Sequence, residues 1–302
     1  MSAVAYVNGR IVAEQDAMIS VFDHGFLYGE GVYEVIRTYG GELFLMDRHF
    51  RRLRASASMI TLDVGMSDGA LERIVRETVA AYRAGGAAAD QELLARILLT
   101  RGIGEMSYDP SKSPHPSLVV IVKGLVPLQT SAYDRGVAVS LVSVVRNHPA
   151  SVDPRIKSNN LLNNVLAMQE ALRRGPFFEA IMRNVRGELA ECSQSNLFLV
   201  KDGIVRTPAL DAGLLAGITR EFVEEVAVEA GIPVVDGALH DEDLFGADEA
   251  FLTSTSKEIV PIVRVDDRVI GSGAPGPVTL RLLDAYRVKA RAVTRRPLSC
   301  SA

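Results

Sequence analysis

The first part of the chain alternates between strand-like and helix-like hydrophobic patterns. Residues 4–12 alternate apolar and polar side chains around Asn8-Gly9, which predicts a β-hairpin. Between Asp47 and Ile60 the apolar side chains fall on one helical face, whereas arginines occupy the others. The same patterns predict strands at Val32–Thr38, Leu93–Leu99 and Leu118–Val122, and a second helix from an N-cap at Ser67 to about Ala84.

The second part begins after Leu125–Ala132, a segment with a proline and no periodicity that predicts an interdomain linker. A strand is predicted at Val137–Val145, followed by a helix from about Ser158 to Arg174. The pattern predicts an α+β protein with domains at 1–124 and 134–302 and an interdomain loop at 125–133. Further strands are predicted at Glu179–Arg183, Leu197–Val200, Ile204–Val205, near Val234 and at Ala250–Thr253, and further helices at about Thr219–Ala230 and Val278–Val293.

Composition narrows the class of protein without identifying it. The 302 residues suffice for two domains, and 48% of them are hydrophobic, so a large core is expected. A net charge of −4 argues against a basic surface for nucleic acid. Cys192 and Cys300 offer neither a disulfide framework nor a metal-ligand spacing, which favours a reducing, cytoplasmic setting. The sequence shows no basic leader and no apolar run of about 18 residues, so we expect neither a signal peptide nor a membrane span.

Lys157 stands at the predicted start of the helix that runs to Arg174. A helix N-terminus disfavours a cation, and burial would disfavour it further, so both would lower the pKa of this lysine. A neutral lysine amine can form an imine with a carbonyl cofactor. The alternative is a solvated surface lysine, which is the commoner environment of this residue type.

Three further segments could bind anions. Leu189–Phe198 places Glu191 before a run of small polar residues, whose backbone N–H groups could surround a phosphate. Leu214–Arg220 carries Gly217 in a turn that leads into a helix N-terminus, which is an anion-binding arrangement. Leu252–Glu258 contains four consecutive hydroxyl residues after an apolar strand. Each segment could equally be an ordinary polar turn or helix cap.

Taken together and in this order, these segments resemble the fold-type IV aminotransferases, the class that includes the branched-chain and D-amino-acid aminotransferases. Asp23–Glu34 resembles the opening signature of that family, and Arg48–Ala57 resembles its phosphate-arginine helix. The resemblance extends from about Ala5 to about Tyr286. It implies a smaller α/β N-terminal domain, a larger C-terminal domain with a mixed, β-barrel-like sheet, and an active site between them. It also implies pyridoxal 5′-phosphate (PLP) as the cofactor and a homodimer or higher homo-oligomer.

The resemblance implies roles for individual residues as well. Lys157 corresponds to the Schiff-base lysine, which would also move a proton between the substrate Cα and C4′ of the cofactor. Glu191 corresponds to the carboxylate that keeps the pyridine nitrogen protonated, and Leu215 to the side chain that packs on the ring. The phosphate ligands implied are Arg52, Ile218, Thr219 and Thr255, and the substrate-binding residues implied are Tyr28, Tyr33, Val35, Arg37, Arg96, Thr255 and Ser256.

The choice of substrate depends on a few pocket positions. Tyr33, Val35 and Arg37 should share one strand face, and Val35 stands where branched-chain enzymes usually carry glycine. The loop Thr100–Pro110 lacks the Arg-x-His motif of D-amino-acid aminotransferases and the glycine-rich, arginine-bearing loop of aminodeoxychorismate lyases. Leu162 stands where a pocket tyrosine is common. The loop is most similar to a divergent branched-chain type.

We therefore interpret the chain as an L-selective transaminase. It would move the amino group of leucine, isoleucine or valine to 2-oxoglutarate by a ping-pong cycle. A D-amino-acid transaminase, an (R)-amine transaminase and a PLP lyase on the same fold remain open. A non-catalytic PLP-binding protein is the alternative outside the enzymes, although Lys157, Glu191 and Arg52 are all present.

Overall fold

The computed structural model describes residues 3–294, and Cys300 lies outside them. The chain divides into two compact units. The first contains the residues up to Val126, the short segment Ile156–Asn160 and the residues from Arg291, and the second contains Pro127–Arg155 and Leu161–Ala290. The sequence-based bounds differ from this division, because they assign Ile156–Asn160 to the domain at 134–302. The reason lies in the backbone pairing of this segment, described below.

The first unit is built on a six-stranded antiparallel sheet in the order β2-β1-β6-β5-β3-β4. Asn8 and Gly9 both have positive φ and join β1 to β2, which confirms the predicted hairpin. The strands are β1 Val4–Val7, β2 Arg10–Ala13, β3 Gly31–Tyr39, β4 Glu42–Leu43, β5 Leu93–Thr100 and β6 Ser117–Gly124. The helices are α1 His24–Leu27, α2 Met46–Met59 and α3 Asp68–Ala84, and Ser67 caps α3 as predicted.

One face of this sheet is covered by the amphipathic helices α2 and α3. Phe50 and Leu53 of α2 and Leu71 of α3 are almost fully buried in one cluster with strand residues such as Ile36 and Ile97. Burial of each large apolar side chain stabilises the unit by about 1.5–3 kcal/mol. Alternate strand residues point away from these helices and are mostly half-buried.

A segment far along the chain extends the first unit at β3. The Tyr33 N–H donates to the Lys157 carbonyl at 2.9 Å, and the Asn159 N–H donates to the Gly31 carbonyl at 2.9 Å. A Cβ at Gly31 would lie 2.6 Å from Asn159 Nδ2, so glycine permits this approach. The prediction of a helix from Ser158 is therefore wrong, because the backbone of residues 157–159 pairs with β3 instead. The helix begins at Leu162 and ends at Arg174 as predicted.

The second unit contains a nine-stranded mixed sheet in the order β12-β11-β10-β13-β14-β7-β8-β9, with β15 paired to β14. Three pairs are parallel, namely β11 with β12, β14 with β7, and β7 with β8. The strands are β7 Val137–Leu141, β8 Ala180–Arg183, β9 Leu189–Cys192, β10 Asn196–Lys201, β11 Ile204–Pro208, β12 Val234–Gly237, β13 Glu249–Ser254, β14 Glu258–Val265 and β15 Arg268–Val269. The remaining helices are α4 Thr130–Asp134, α5 Leu162–Arg174, α6 Ile218–Glu229, α7 Asp241–Phe245 and α8 Pro277–Thr294.

This sheet curls back on itself. The strand β9 lies at one end of the strand order, and β10 is the third strand from the other end. Only three residues join β9 to β10, and the Cys192 N–H donates to the Ser195 carbonyl at 2.8 Å. The two ends of the sheet therefore lie close together. The predicted two-domain α+β class with a mixed second sheet is thus confirmed. Among the described residues, no helix combines the length and apolar character that crossing a bilayer would require.

One local prediction in the second unit was wrong. The strand expected at Val137–Val145 ends at Leu141, because the N–H groups of Ser143 and Val144 turn to the carboxylate of Glu170. The segment predicted as an interdomain linker contains the boundary between the two units, at Val126, and continues into the short helix α4.

Candidate active site

Lys157 is held by its backbone on two sides within the first unit. Its N–H donates to Ser56 Oγ at 3.1 Å, and its carbonyl accepts from Tyr33. The side chain is half-buried, and Nζ lies 4.5 Å from the centre of the Tyr33 ring. Because the helix begins five residues later, the helix-terminus environment predicted for this lysine is wrong. Lys157 is instead an anchored lysine beside an aromatic ring, rather than a fully solvated one.

The helix α2 presents His49, Arg52 and Ser56 at spacings that share one face. Arg52 binds Glu34 through two parallel hydrogen bonds, Nε to Oε1 at 2.7 Å and Nη2 to Oε2 at 2.8 Å. Nδ1 of His49 lies 2.7 Å from Oε2 of the same carboxylate, which is fully buried. One face of α2 therefore contacts both a buried acid of β3 and the backbone of Lys157.

Electrostatics in this cluster favour an ionised acid and a neutral imidazole. Burial disfavours the charge on Glu34, but Arg52 and His49 outweigh it and hold the pKa of Glu34 well below its usual value. Burial also lowers the pKa of His49, against the opposing effect of Glu34. Sequence reasoning missed Glu34 and His49. The available signal was an acidic residue at a core-facing position of a strand, which requires a buried partner.

The predicted phosphate ligand Arg52 is thus also half of a buried ion pair. Its side chain keeps 12% of its surface exposed, whereas Glu34 has none. The bidentate bond fixes the plane of the guanidinium. A contact between Arg52 and a phosphate stays a prediction.

The other face of the first sheet carries the predicted substrate residues. Val35 of β3 stands opposite Arg96 of β5, and the Arg96 guanidinium lies 4.3 Å from the centre of the Tyr33 ring. Arg37 lies 4.1 Å over the ring of Tyr39 on the same face. The predicted sharing of one strand face by residues 33, 35 and 37 is confirmed by the register. Apolar surface and two cations therefore stand side by side.

Tyr28 contacts the loop Thr100–Pro110. Its ring meets those of His24 and Tyr108 edge-on, with centroids 5.0 and 5.2 Å away. His24 Nε2 lies 2.8 Å from the Glu105 carbonyl, which ties the same loop to α1. The region predicted to discriminate substrates is therefore attached to the predicted pocket tyrosine.

In the second unit, Glu191 occupies β9 and is held by three donors. Its Oε1 accepts from Arg146 Nε at 2.7 Å, and its Oε2 accepts from the Leu215 N–H at 3.1 Å and from Asn196 Nδ2 at 3.5 Å. Arg146 also donates to Asn163 Oδ1 at 3.0 Å. Glu191 lies within the buried strand β9, and Ser193–Ser195 form the polar turn that joins this strand to β10. Arg146 was not predicted, and nothing in its local sequence distinguishes it.

Asn196 joins three motifs that are distant in sequence. It contacts Glu191, donates to the Leu215 carbonyl at 3.0 Å, and stands opposite Thr253 in the pairing of β10 with β13. A Cβ at Gly217 would fall 1.9 Å from its Oδ1, so glycine is needed there. The segments 189–198, 214–220 and 252–258 therefore converge, as their joint prediction requires.

Two of these motifs offer donors for an anion. Gly217 is the N-cap of α6, and within the part of the chain that the structure describes no side chain caps this end, where Ile218 and Thr219 form the first turn. A helix N-terminus of this kind favours phosphate. The hydroxyls of Thr253 and Ser254 are buried without a hydrogen-bond partner among residues 3–294. Such orphaned groups indicate a polar partner that is not a protein side chain.

A fixed lysine, a held carboxylate and an uncapped helix start are the groups that a phosphorylated pyridine aldehyde requires. The chemistry of the residues in each unit, a lysine amine in the first and a carboxylate with donors for a phosphate in the second, therefore fits PLP.

Comparison with known proteins identifies the family. The model of the class IV aminotransferases matches residues 31–265. A Methanocaldococcus jannaschii protein provisionally named a branched-chain-amino-acid aminotransferase is 38% identical over 283 residues, which cover 93% of this chain and 94% of that protein. A D-alanine aminotransferase of Bacillus licheniformis is 32% identical over 282 residues, with coverage of 93% and 94%.

A solved structure agrees with these relatives. The T.th. branched-chain amino acid aminotransferase with pyridoxamine 5′-phosphate superimposes with a TM-score of 0.89 at 30% identity, covering 98% of this chain and 96% of that one. The chain belongs to the class IV aminotransferases, and the resemblance inferred from its motifs is confirmed. Enzymes of this class depend on PLP, so the predicted cofactor is confirmed as well.

Proposed function

We propose that the chain transfers the amino group of branched-chain L-amino acids to 2-oxoglutarate by a ping-pong cycle. The observation that carries the proposal is the second face of the first sheet, where Val35 stands opposite Arg96 and the Arg96 guanidinium lies 4.3 Å from the centre of the Tyr33 ring. An aliphatic side chain needs apolar surface, whereas the second carboxylate of 2-oxoglutarate needs a cation. This face offers both, and the similarity to the Methanocaldococcus jannaschii protein supports the same assignment.

The catalytic roles in this proposal fall to Lys157 and Glu191. PLP, when bound, accepts the negative charge that develops at the substrate Cα. Lys157 would provide the amine that bonds to the cofactor aldehyde with loss of water, and once the substrate amine has displaced it, the free Lys157 amine would move the proton from Cα to C4′. Glu191 holds the proton on the pyridine nitrogen, and Arg146 and the Leu215 N–H orient Glu191.

The remaining assignments concern binding. Leu215 packs on the ring, and Ser256 binds the substrate carboxylate with Thr255. Tyr28, Tyr33, Val35, Arg37 and Arg96 shape the substrate site. The phosphate ligands proposed are Arg52, Ile218, Thr219 and Thr255.

A substrate panel tests this function directly. Purified protein with PLP should transfer amino groups from L-leucine, L-isoleucine or L-valine to 2-oxoglutarate, and borohydride should fix the cofactor on the peptide that contains Lys157. The variant Arg96→Leu should raise the KM for 2-oxoglutarate by about tenfold and that for L-leucine much less, because one charged hydrogen bond is lost. Activity with D-alanine and none with L-leucine would contradict the proposal. A protein that binds no PLP would contradict every enzymatic assignment.

A D-amino-acid transaminase is the second candidate. Val35 fills a position where branched-chain enzymes usually carry glycine, and a D-alanine aminotransferase is 32% identical. The same panel, extended with D-alanine and (R)-1-phenylethylamine, separates this candidate and the (R)-amine transaminase from the first. Pyruvate formation from aminodeoxychorismate would indicate the lyase.

We also propose that the protein forms a homodimer or a higher homo-oligomer. Phe26, Met106 and Tyr108 are 64%, 73% and 89% exposed in the first unit. The bridge between Asp23 and Ile103 places the two segments that carry these side chains side by side, and we infer from this that the three belong to one apolar patch. A second copy of the chain would cover it. Sedimentation of the wild type as a monomer at micromolar concentration would contradict this proposal.

A further inference from the structure

Glu179 is a fully buried carboxylate that none of the assigned roles uses. It lies directly before β8 in the second unit. Its Oε1 accepts from Ser195 Oγ at 2.7 Å and from Lys257 Nζ at 2.5 Å, and its Oε2 accepts from the Gln194 N–H at 2.9 Å. A buried charge is expensive unless it is paired and hydrogen-bonded, and here both conditions are met.

The cationic partner of Glu179 is Lys257, which directly follows the four hydroxyl residues 253–256. Ser254 pairs with Glu258, so Thr255, Ser256 and Lys257 form the three-residue loop between β13 and β14. The side chain of Lys257 is only 15% exposed, and its Nζ also donates to Gln194 Oε1 at 3.3 Å. The two residues before Lys257 are those proposed to bind the cofactor phosphate and the substrate carboxylate.

The backbone of this loop needs support. Glu258 has φ of +61°, a left-handed conformation that side chains other than glycine rarely adopt. The Tyr133 hydroxyl donates to the Lys257 carbonyl at 3.1 Å, and Arg287 Nε donates to Glu258 Oε2 at 2.7 Å. Contacts on both sides therefore maintain a conformation that the sequence alone disfavours.

We propose that Glu179 and Lys257 form a positioning pair that fixes the Thr255-Ser256 turn and so sets the affinity for the cofactor phosphate. The pair ties this turn to Ser193–Ser195, the arm that follows Glu191, because Glu179 accepts from both. The inference rests on the proposed function, in which Thr255 binds the phosphate. Neither residue of the pair touches the reacting atoms in this assignment.

The test compares PLP with pyridoxal, which lacks the phosphate. Equilibrium dialysis of full-length apo-protein gives the Kd of each compound for wild type, Lys257→Met, Lys257→Arg and the double variant Glu179→Gln/Lys257→Met. The double variant leaves no uncompensated buried charge, so it carries the test if Lys257→Met does not fold. Lys201→Met is the matched control, because it removes an exposed lysine–aspartate pair of 3.0 Å in the same unit.

We expect the Kd for PLP to rise about tenfold in the double variant, the loss that corresponds to about one hydrogen bond. The Kd for pyridoxal should stay within about twofold of the wild-type value. Lys257→Arg should restore most of the PLP affinity, and Lys201→Met should match the wild type. Unchanged PLP affinity, or equal losses of affinity for PLP and pyridoxal, would overturn this proposal and leave the proposed function unaffected. A wild-type protein that binds no PLP would overturn the proposed function and this inference with it.

Discussion

Glu34 and Glu191 are both buried acids paired with an arginine, and they differ in the donors that contact Oε2, the second oxygen of each carboxylate. Glu34 has no exposed surface, and His49 and Arg52 share its second oxygen at 2.7 and 2.8 Å. Among residues 3–294, the donors to the second oxygen of Glu191 lie farther away, at 3.1 and 3.5 Å. Glu34 therefore has short contacts to Arg52 or His49 at both of its oxygens, which favours a structural role. A carboxylate with a weakly engaged oxygen can accept a further, stronger donor such as a protonated pyridine.

The largest effect should come from breaking the Glu34 pair. Arg52→Met leaves a fully buried carboxylate without its guanidinium, so the free energy of unfolding of the apo-protein should fall by ~3–5 kcal/mol. Urea denaturation measures it. The neighbouring Arg51→Met is the control, because Arg51 and Asp47 are both highly exposed and 3.6 Å apart, and it should change stability by less than about 0.5 kcal/mol. Equal effects of the two variants would show that the Glu34 pair contributes no more than a surface pair.

The second prediction concerns activity. In the proposed function Glu191 holds the proton on the pyridine nitrogen. Glu191→Gln keeps an oxygen for Arg146 but loses that role, so kcat should fall on the order of 100-fold. Stability of the apo-protein should fall less than in Arg52→Met, because Arg146 retains its bond to Asn163. Single-turnover rates and urea denaturation together separate the two quantities. A wild-type kcat in Glu191→Gln would contradict the catalytic role proposed for Glu191.

The smallest effect is the pH dependence of stability. The folded-state pKa values of His49 and Glu34 both lie below their ordinary values of 6.5 and 4.5, so both groups bind fewer protons when folded. Their stabilisation is present at higher pH and is lost on acidification, below about pH 6.5 for His49 and below about pH 4.5 for Glu34.

When the pH falls from 7.5 to 5.5, protonation of His49 should lower the free energy of unfolding of the apo-protein by about 1 kcal/mol, since one proton contributes at most about 1.4 kcal/mol per pH unit. Urea titrations across this range measure it. His49→Gln removes the titrating group and should flatten the curve, whereas His148→Gln, at an exposed histidine, provides a comparison variant. A wild-type curve that rises on acidification would have the wrong sign for a buried, neutral His49.

The sequence predicted the secondary structure correctly where that structure depends on residues close by in the chain. The α2 periodicity, the Asn8-Gly9 hairpin and the Ser67 cap were all predicted within a residue or two, because side-chain spacing and turn chemistry act over a few positions. The prediction failed just before α5, where residues 157–159 pair with β3 instead of starting the helix. Pairing partners more than a hundred residues away leave no local trace.

The sequence by itself determined the class of enzyme, since six motifs in a fixed order identified the family and the PLP chemistry before any contact was known. Only the tertiary structure decided how those motifs are held. Glu34 with Arg52, Glu191 with Arg146 and Glu179 with Lys257 join residues 18, 45 and 78 positions apart. Burial makes each pair consequential, because a charge removed from water must find its partner wherever the fold brings one.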